Sequence, residues 1–388
     1  MHPKVLVSAG EASGDLYAAL VVQELKRLRP EAEFFGCTGP RLRQAGVRTV
    51  VDSASLAVVG LLEVVSHIPR IYGEYRRLVK EAREQRPDVA ILTDSPDFHL
   101  RVARQLRRAG VPVIYLVAPQ VWAWRKGRLP ALRRLERLLC IFPFEEEFFA
   151  REGVAATYIG HPLADLVRPS LSREAFFRKH GLAEGRPLIS VLPGSRRGEA
   201  ARHLPALLDA AQRLSGECSR GPFNFVLPAS STTGVGFFAE RIGSAPVRVI
   251  EGEAWDAMAH ADLALAASGT VTIEAALLGT PMVTFYRVTW PSWVAGKLLV
   301  RVPFYSMVNL VAGRAVVPEL MQGRMTGRNL AAEARRLLED EPAREEMRAG
   351  LAEVRRRLAA PHGQSGDAPR RAAAIIQDIL EGQVAHVS

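Results

Sequence analysis

Residues 262–286 read DLALAASGTVTIEAALLGTPMVTFY, and this stretch decides the fold class. The apolar run 262–266 predicts a buried strand, and the small residues at 268–270 predict a turn. Residues 271–278 predict a helix, and residues 282–286 predict a second strand. Glycine and proline at 279–281 end the helix, because both interrupt helical backbone. A strand, a tight turn, a helix and another strand in this order predict a parallel α/β sheet.

The turn in this stretch also predicts an anion site. Ser268, Gly269 and Thr270 lie at a helix start, where free backbone N–H groups and the positive end of the helix dipole attract an anion. Glu274, one turn further on, can accept hydrogen bonds from two ribose hydroxyls. The same residue types also cap helices without any ligand, so nucleotide binding and simple capping both stay open here.

Length, composition and charge narrow the function classes. The 388 residues, 48% of them hydrophobic, predict two domains with ample core, and mean hydropathy is +0.03. Three scattered cysteines without a CxxC pair favour a reducing compartment and argue against a disulfide or zinc framework. No apolar run reaches the roughly 18 residues of a spanning helix, so we expect a soluble or peripheral protein without a signal peptide. A net charge of +10 favours an anionic partner: nucleic acid, a lipid surface or a phosphorylated substrate.

The alternation of strand-like and helix-like segments continues along the chain and predicts two doubly wound domains with a cleft between them. The polar segment 165–187 interrupts the alternation, so we place the domain boundary there. The predicted domains are residues 1–170 and 171–360. Residues 361–388 are predicted to form a loop and a helix that packs back on the N-terminal domain.

Each predicted domain opens with a strand that runs into a glycine-containing turn. The first turn, GEASG at 10–14, is not a dinucleotide motif, and Glu11 would repel a diphosphate. The second turn, PGSRRGE at 193–199, suits a diphosphate. Gly194 allows close backbone approach, Ser195 can donate a hydrogen bond, and Arg196 can make a charge-assisted contact. The alternative is a surface loop with two solvated arginines.

Two carboxylates follow the predicted strand 88–93, in the segment DSPDF at 94–98. Because ligands bind at the carboxyl ends of parallel strands, Asp97 is a candidate general base. The alternative is that one or both aspartates cap the next helix. Asp94 and Asp97 alone make a poor metal site, and no histidine has ligand spacing, so we expect no metal and no cofactor.

The chain resembles the lipid-A-disaccharide synthase family nearly from end to end. The resemblance is carried by SAGEASGDLYAA (8–19), DSPDF (94–98), APQVWAWRKGR (118–128), LPGSRRGE (192–199), LAASGTVTIEAALLGTPMV (265–283) and NLVAGRAVVPELMQ (309–322). PQVWAWR together with LPGSRRGE is highly specific to that family. The sequence departs from the pattern in YSMVN (305–309), where members often carry proline before the asparagine.

The resemblance implies a GT-B fold and an inverting, metal-independent glycosyltransferase on the cytoplasmic face of the inner membrane of a Gram-negative bacterium. It implies that UDP-2,3-diacylglucosamine and 2,3-diacylglucosamine 1-phosphate are joined into a β-1,6 disaccharide with release of UDP. Asn309 joins the implied donor residues, Asp97 is the implied base, and Glu11 is a second candidate base or an orienter of Asp97. A homodimer is among the expected partners, and nucleic acid is not.

An apolar segment followed by basic residues predicts contact with an anionic membrane. Residues 56–71 read LAVVGLLEVVSHIPRI, and bases follow closely. The alternative is an internal helix–helix contact. The predicted contact residues are Val58, Leu61, Leu62, Val65, Arg76, Arg77 and Lys80.

Two other functions remain open from the sequence. One is another GT-B enzyme acting on UDP-GlcNAc, either a GlcNAc transferase of peptidoglycan synthesis or a UDP-GlcNAc 2-epimerase. The glycine-rich donor stretch fits both, but the PQVWAWR stretch argues against them. The other is a non-enzymatic basic protein that binds nucleic acid or lipid, although ordered aromatic stacking motifs for RNA are missing.

Overall fold

The computed structural model describes residues 2–56, 63–217, 221–300, 302–359 and 367–387. The chain divides into two compact units, each with its own parallel sheet. Unit 1 comprises residues 1–162 together with 360–388, and unit 2 comprises residues 163–359. The predicted fold class, α/β with two Rossmann-like domains, is confirmed.

Unit 1 contains seven parallel strands in the order β3-β2-β1-β4-β5-β6-β7. The strands are β1 Lys4–Ala9, β2 Glu33–Thr38, β3 Arg48–Asp52, β4 Val89–Thr93, β5 Val113–Leu116, β6 Arg137–Cys140 and β7 Ala156–Tyr158. The α-helices are α1 Ala12–Leu28, α2 Pro40–Gln44, α3 Glu63–Gln85, α4 Pro96–Arg108, α5 Leu129–Leu132, α6 Pro143–Arg151 and, near the C-terminus, α16 Ala368–Val387.

Unit 2 contains six parallel strands in the order β10-β9-β8-β11-β12-β13. The strands are β8 Leu188–Leu192, β9 Asn224–Ala229, β10 Val247–Glu251, β11 Leu263–Ala267, β12 Met282–Tyr286 and β13 Glu319–Met321. The α-helices are α7 Arg173–Lys179, α8 Arg197–Glu217, α9 Val235–Ile242, α10 Ala254–Ala259, α11 Thr270–Leu278, α12 Trp290–Leu299, α13 Met307–Ala312, α14 Gly327–Glu339 and α15 Glu341–Leu358.

The central strands lie in the core because their sequences are apolar without alternation. Every residue of β4 (VAILT), β8 (LISVL) and β11 (LALAA) is buried. A strand that reads as a continuous apolar run is typical of a parallel sheet covered on both faces. The core of each unit therefore forms around its own sheet.

The strand order places a ligand position in each unit. The order reverses between β1 and β4 in unit 1 and between β8 and β11 in unit 2. Doubly wound sheets bind ligands beyond the carboxyl ends of the two strands at such a reversal. The loops after β1 and β4 contain Glu11 and Asp94. The loops after β8 and β11 contain five of the predicted donor residues: Gly194, Ser195, Arg196, Ser268 and Gly269.

The C-terminal helix α16 packs on α1 within unit 1. Its buried face contains Ala372, Ala373 and Ile376, each with no exposed surface. Arg371 donates from Nε to the carbonyl of Ile159 at 2.7 Å. Among the described residues, no helix combines the length and apolar character needed to cross a membrane.

Candidate functional site

Asp94 lies at the carboxyl end of β4, where the loop after β1 folds over it. Its Oδ1 accepts a hydrogen bond from the Gly10 N–H at 2.8 Å, and its Oδ2 accepts one from the Glu11 N–H at 3.0 Å. A Cβ at position 14 would lie 1.8 Å from Oδ2 of Asp94, so only glycine fits there. The backbone of the GEASG turn therefore binds the Asp94 carboxylate, which belongs to the same unit, and not a diphosphate.

Burial raises the pKa of Asp94 to about 7, although the Glu11 and Gly10 N–H groups favour its ionised form. The Glu11 carboxylate adds to the increase through charge repulsion. The Asp94 side chain is only 13% exposed. A carboxyl group that titrates near neutrality at a strand end has the properties of a general base.

His99 fixes the backbone of this turn. Its Nδ1 lies 2.9 Å from the Asp94 carbonyl and its Nε2 lies 2.7 Å from Ser8 Oγ. Complete burial lowers the pKa of His99 to about 4, so the ring is neutral at pH 7. Because a carbonyl only accepts, Nδ1 carries the proton and Nε2 accepts from the Ser8 hydroxyl. Tyr115 donates to the same carbonyl, and Asp94 is held at a left-handed φ of 54°.

Asp97 has a different environment, although it lies only one turn away. Its two oxygens accept hydrogen bonds from Arg125 Nη1 at 2.6 Å and from Arg128 Nη2 at 2.8 Å. Partial burial raises its pKa, but hydrogen bonds and charge from Arg128 and then Arg125 outweigh that effect and lower it. A carboxylate stabilised by two guanidinium groups is a weak base. The geometry therefore favours Asp94 over the sequence-based candidate Asp97.

The predicted donor loops lie side by side in unit 2, at the ends of the paired strands β8 and β11. Gly194 has a φ of 109°, and a Cβ there would lie 2.6 Å from the Glu199 carboxyl carbon. Ser195 and Arg196 are exposed directly before α8, and Gly269 and Thr270 are exposed at the start of α11. Two helix starts and one guanidinium group are therefore available to an anion at this end of the sheet.

His203 supports the first of these loops, and the sequence reasoning did not identify it. Its Nδ1 lies 2.8 Å from the Pro193 carbonyl, and its Nε2 accepts from the Arg287 N–H at 3.0 Å. The ring is fully buried, and burial lowers its pKa. It thereby connects the residue before Gly194 to the end of β12. A lone histidine on a helix gives no sequence signal for this contact.

Glu274 lies in α11 and is partly buried. Burial raises its pKa to about 6, while a hydrogen bond from Trp255 acts in the opposite direction. At pH 7 the group is therefore mostly ionised and can accept hydrogen bonds from hydroxyl groups.

Asn309 has no hydrogen-bonding capacity left for a ligand. Its Nδ2 donates to the Val317 carbonyl and to Glu319 Oε1, both at 2.9 Å. Its Oδ1 accepts from the backbone N–H groups of Val316 at 2.7 Å and Val317 at 2.9 Å. Both donors and both acceptor positions of the amide are used. The predicted direct contact with UDP-sugar therefore does not fit this geometry.

Asn309 instead supports the turn after β11. Glu319 Oε1, which it contacts, accepts from the Ser306 N–H at 2.8 Å. The preceding residue, Tyr305, accepts from Ser268 Oγ through its carbonyl at 3.0 Å. This chain of contacts positions Ser268, whose hydroxyl is used inside the protein.

The predicted membrane-contact residues are described in part. Val58, Leu61 and Leu62 lie outside the described residues, and for Val65 only its place in α3 is described. The basic members are exposed on α3: Arg76, Arg77 and Lys80. Ile68 and Tyr72, on the same helix, are 53% and 57% exposed. Residues 68, 72, 76 and 80 are four apart and share one helix face, with an apolar half and a basic half.

Within the described part of the chain, no group of three or more His, Cys, Asp or Glu side chains is placed to hold a metal ion.

Comparison with known proteins gives a family for this chain. The model of the family described as lipid-A-disaccharide synthetase matches residues 5–365. The lipid-A-disaccharide synthase of Solibacter usitatus (strain Ellin6076) is 74% identical over 387 residues, covering 100% of both chains.

Solved structures with similar folds have low sequence identity. A UDP-GlcNAc 2-epimerase from Neisseria meningitidis bound to UDP-GlcNAc has a TM-score of 0.62 at 15% identity, covering 98% of this chain and 100% of that one. The glycosyltransferase of kitacinnamycin has a TM-score of 0.64 at 17% identity, with the same coverage. These likenesses support the GT-B fold alone and give the epimerase alternative no advantage.

Proposed function

The chain belongs to the lipid-A-disaccharide synthase family, a family of disaccharide-forming glycosyltransferases, and from this membership we propose its substrates and catalytic groups. The donor is UDP-2,3-diacylglucosamine and the acceptor is 2,3-diacylglucosamine 1-phosphate. Their reaction forms a β-1,6 disaccharide 1-phosphate and releases UDP. The observation that carries the proposal is full-length identity of 74% with a lipid-A-disaccharide synthase.

Unit 2 binds the donor nucleotide in this proposal. The diphosphate lies against Arg196 and the starts of α8 and α11, where N–H groups and one guanidinium stabilise the charge that develops on departing UDP. Glu274 accepts hydrogen bonds from the ribose hydroxyls. Exposure of Arg196 and Thr270 supports this role, because both are open to a ligand. Asn309 and His203 position the loops and do not contact the donor.

Unit 1 provides the base. The acceptor 6-hydroxyl loses its proton to Asp94 while its oxygen attacks the anomeric carbon of the donor, and the bond from that carbon to UDP breaks. One displacement inverts the configuration. A pKa of about 7 supports this role for Asp94. Near neutral pH about half of the enzyme molecules have Asp94 ionised, and the carboxylate is a stronger base than one with an ordinary pKa. Glu11 orients Asp94 through its backbone N–H and raises its basicity through its charge.

Both substrates carry acyl chains, so we place the enzyme on the cytoplasmic face of the inner membrane as a peripheral protein. The exposed face of α3 supports this, because Ile68 and Tyr72 can enter the lipid interface while Arg76 and Lys80 meet anionic headgroups.

The test is UDP release by the purified chain with matched substrate pairs. We expect turnover with the two diacylated sugars, a product whose mass is that of the disaccharide 1-phosphate, and little turnover with non-acylated UDP-GlcNAc and glucosamine 1-phosphate. Equal rates with the non-acylated pair, or conversion of UDP-GlcNAc to its 2-epimer, would contradict the proposal.

A further inference from the structure

Two arginines and a tryptophan surround Asp97 at the surface of unit 1. Asp97 is 70% exposed, yet both of its oxygens are held by Arg125 and Arg128. The two guanidinium carbons lie 4.5 Å and 5.7 Å from the centroid of the Trp124 ring. Arg125 has a left-handed φ of 57°, which is uncommon for a residue other than glycine. We call this group the Arg125–Arg128 cluster; it also includes Trp124 and Asp97.

One donor of Arg128 is unused within the described part of the chain. Its side chain is 14% exposed, and its Nε is buried with no hydrogen-bond partner among the described residues. Buried N–H groups are nearly always paired, so the unused Nε leaves this guanidinium group with spare hydrogen-bonding capacity. The cluster also has one positive charge in excess, because a single carboxylate faces two guanidinium groups.

The cluster shares one end of the sheet with Asp94. Tyr115 donates to the Asp94 carbonyl. The charges of Arg128 and Asp97 both act on the pKa of the same tyrosine. The segments that hold the cluster follow β4 and β5, which are paired strands. A ligand held by the two arginines therefore lies at the same edge of unit 1 as the proposed base.

We propose that the Arg125–Arg128 cluster binds the 1-phosphate of the acceptor sugar, and that Asp97 occupies the anion position until the acceptor arrives. A phosphomonoester carries nearly two negative charges and three acceptor oxygens, so it matches two guanidinium forks better than one carboxylate does. Asp97 is exposed enough to turn into solvent. Trp124 fixes the planes of both arginines through cation–π contact. This inference rests on the proposed function, and it assigns Asp97 to specificity instead of proton transfer.

The experiment compares two acceptors, 2,3-diacylglucosamine 1-phosphate and the same sugar without its phosphate. In the unaltered enzyme we expect a KM about 10- to 100-fold lower for the phosphorylated acceptor, the effect of one or two charge-assisted contacts. The double variant Arg125→Gln, Arg128→Gln should lose this discrimination while its affinity for UDP is retained. Arg134→Gln, an exposed arginine nearby, is the matched control and should keep the discrimination.

Several outcomes would overturn the inference. One is a double variant that still discriminates between the acceptors. Another is a variant that keeps the discrimination but no longer binds phosphatidylglycerol vesicles, since the cluster would then recognise lipid headgroups. If the buried Arg128 proves necessary for folding, Arg125→Gln alone, at a half-exposed side chain, should show a partial loss.

Asp97→Asn gives an independent test. Removing the competing carboxylate should lower the KM for the phosphorylated acceptor, whereas a kcat loss of about 10²-fold or more would place Asp97 on the proton path and reject the inference. Failure of the proposed function itself is distinct, because the unaltered enzyme would then turn over neither acceptor.

Discussion

Asp94 and Asp97 carry the same functional group and have opposite pKa shifts. Asp94 is enclosed by the β1 loop and the buried His99, whereas Asp97 is exposed between two arginines. Burial without a cationic partner favours the protonated form, and paired guanidinium groups favour the ionised form. The environment, and not the residue type, therefore sets the direction of each pKa shift.

Asp94→Asn should lower kcat by about 10²–10⁴-fold, the usual range for loss of a general base, without changing UDP affinity. In the unaltered enzyme kcat/KM should fall as the pH drops below about 7, because the base is then protonated. Steady-state kinetics from pH 5.5 to 9 and UDP calorimetry measure both effects. Asp88→Asn, at the opposite end of β4, is the control; a kcat loss of similar size there would reject the assignment.

Glu145 gives a prediction for the pH dependence of stability. It is fully buried, accepts from Trp122 Nε1 at 3.0 Å, and burial raises its pKa to about 7. The folded state thus binds this proton more tightly than the unfolded state. The stabilising contribution is complete below about pH 4.5 and is lost as the pH rises through 7, at most about 3 kcal/mol.

Glu145→Gln should therefore raise the Tm relative to the unaltered protein more at pH 8 than at pH 5. Thermal melts at both pH values test this, with the exposed Glu147→Gln as control. A Tm difference that is the same at both pH values would contradict the prediction.

Neither the burial of Asp94 nor the pairing of Asp97 could be predicted from the sequence. The N–H groups that bind the Asp94 carboxylate are 83 and 84 positions away, and the arginines on Asp97 are 28 and 31 positions away. DSPDF indicated two carboxylates at a strand end, but their burial depends on how distant loops fold over them. The donor role of Asn309 stays a prediction. Its partners Val316, Val317 and Glu319 lie within NLVAGRAVVPELMQ, but the motif alone does not indicate that they use the whole amide.

At the scale of elements, apolar runs were the most informative signal. The predicted strand at 262–266 corresponds to β11, and the predicted strand at 282–286 matches β12. The helix predicted at 271–278 corresponds to α11, which begins one residue earlier, at Thr270. The edge strand β3 (RTVVD) was not predicted, since its short polar-flanked sequence resembles a loop.

The helix α3 carries the prediction that concerns the membrane. Reversing the charge at Arg76 and Arg77 should release the protein from anionic vesicles at moderate salt, because each base contributes about 1 kcal/mol near such a surface. Ile68→Ser with Tyr72→Ser should weaken binding at high salt as well, through lost apolar burial. Vesicle co-sedimentation measures both effects.

Two results would reject this role for α3. One is unchanged co-sedimentation of all α3 variants. The other is equal release by the control double reversal at Arg104 and Arg108, which are exposed on α4. Thermal melts of the serine variants separate lost docking from lost packing, because Ile68 and Tyr72 are more than half exposed and should contribute little to the Tm.

At the scale of the whole molecule, one compact unit is built from both ends of the chain. Residues 360–388 follow unit 2 in the sequence but belong to unit 1. Ion pairs join α16 to α1 and the residue after it: Arg370 to Glu24 at 3.6 Å, and Arg29 to Glu381 at 2.6 Å. The core of unit 1 therefore includes side chains of α16, and the stability of unit 1 depends on them.

Ile376→Ala should destabilise unit 1 selectively by about 2–5 kcal/mol, because the side chain is fully buried against α1 and its removal leaves a cavity. Hydrogen exchange should show lost protection in α1, β1 and β4, with protection of β8 and β11 kept. UDP affinity should be retained, since the proposed donor residues all belong to unit 2. Asp378→Ala, on the exposed face of α16, is the control. Equal loss of protection in both units would mean that they unfold together and would reject the independent role of α16.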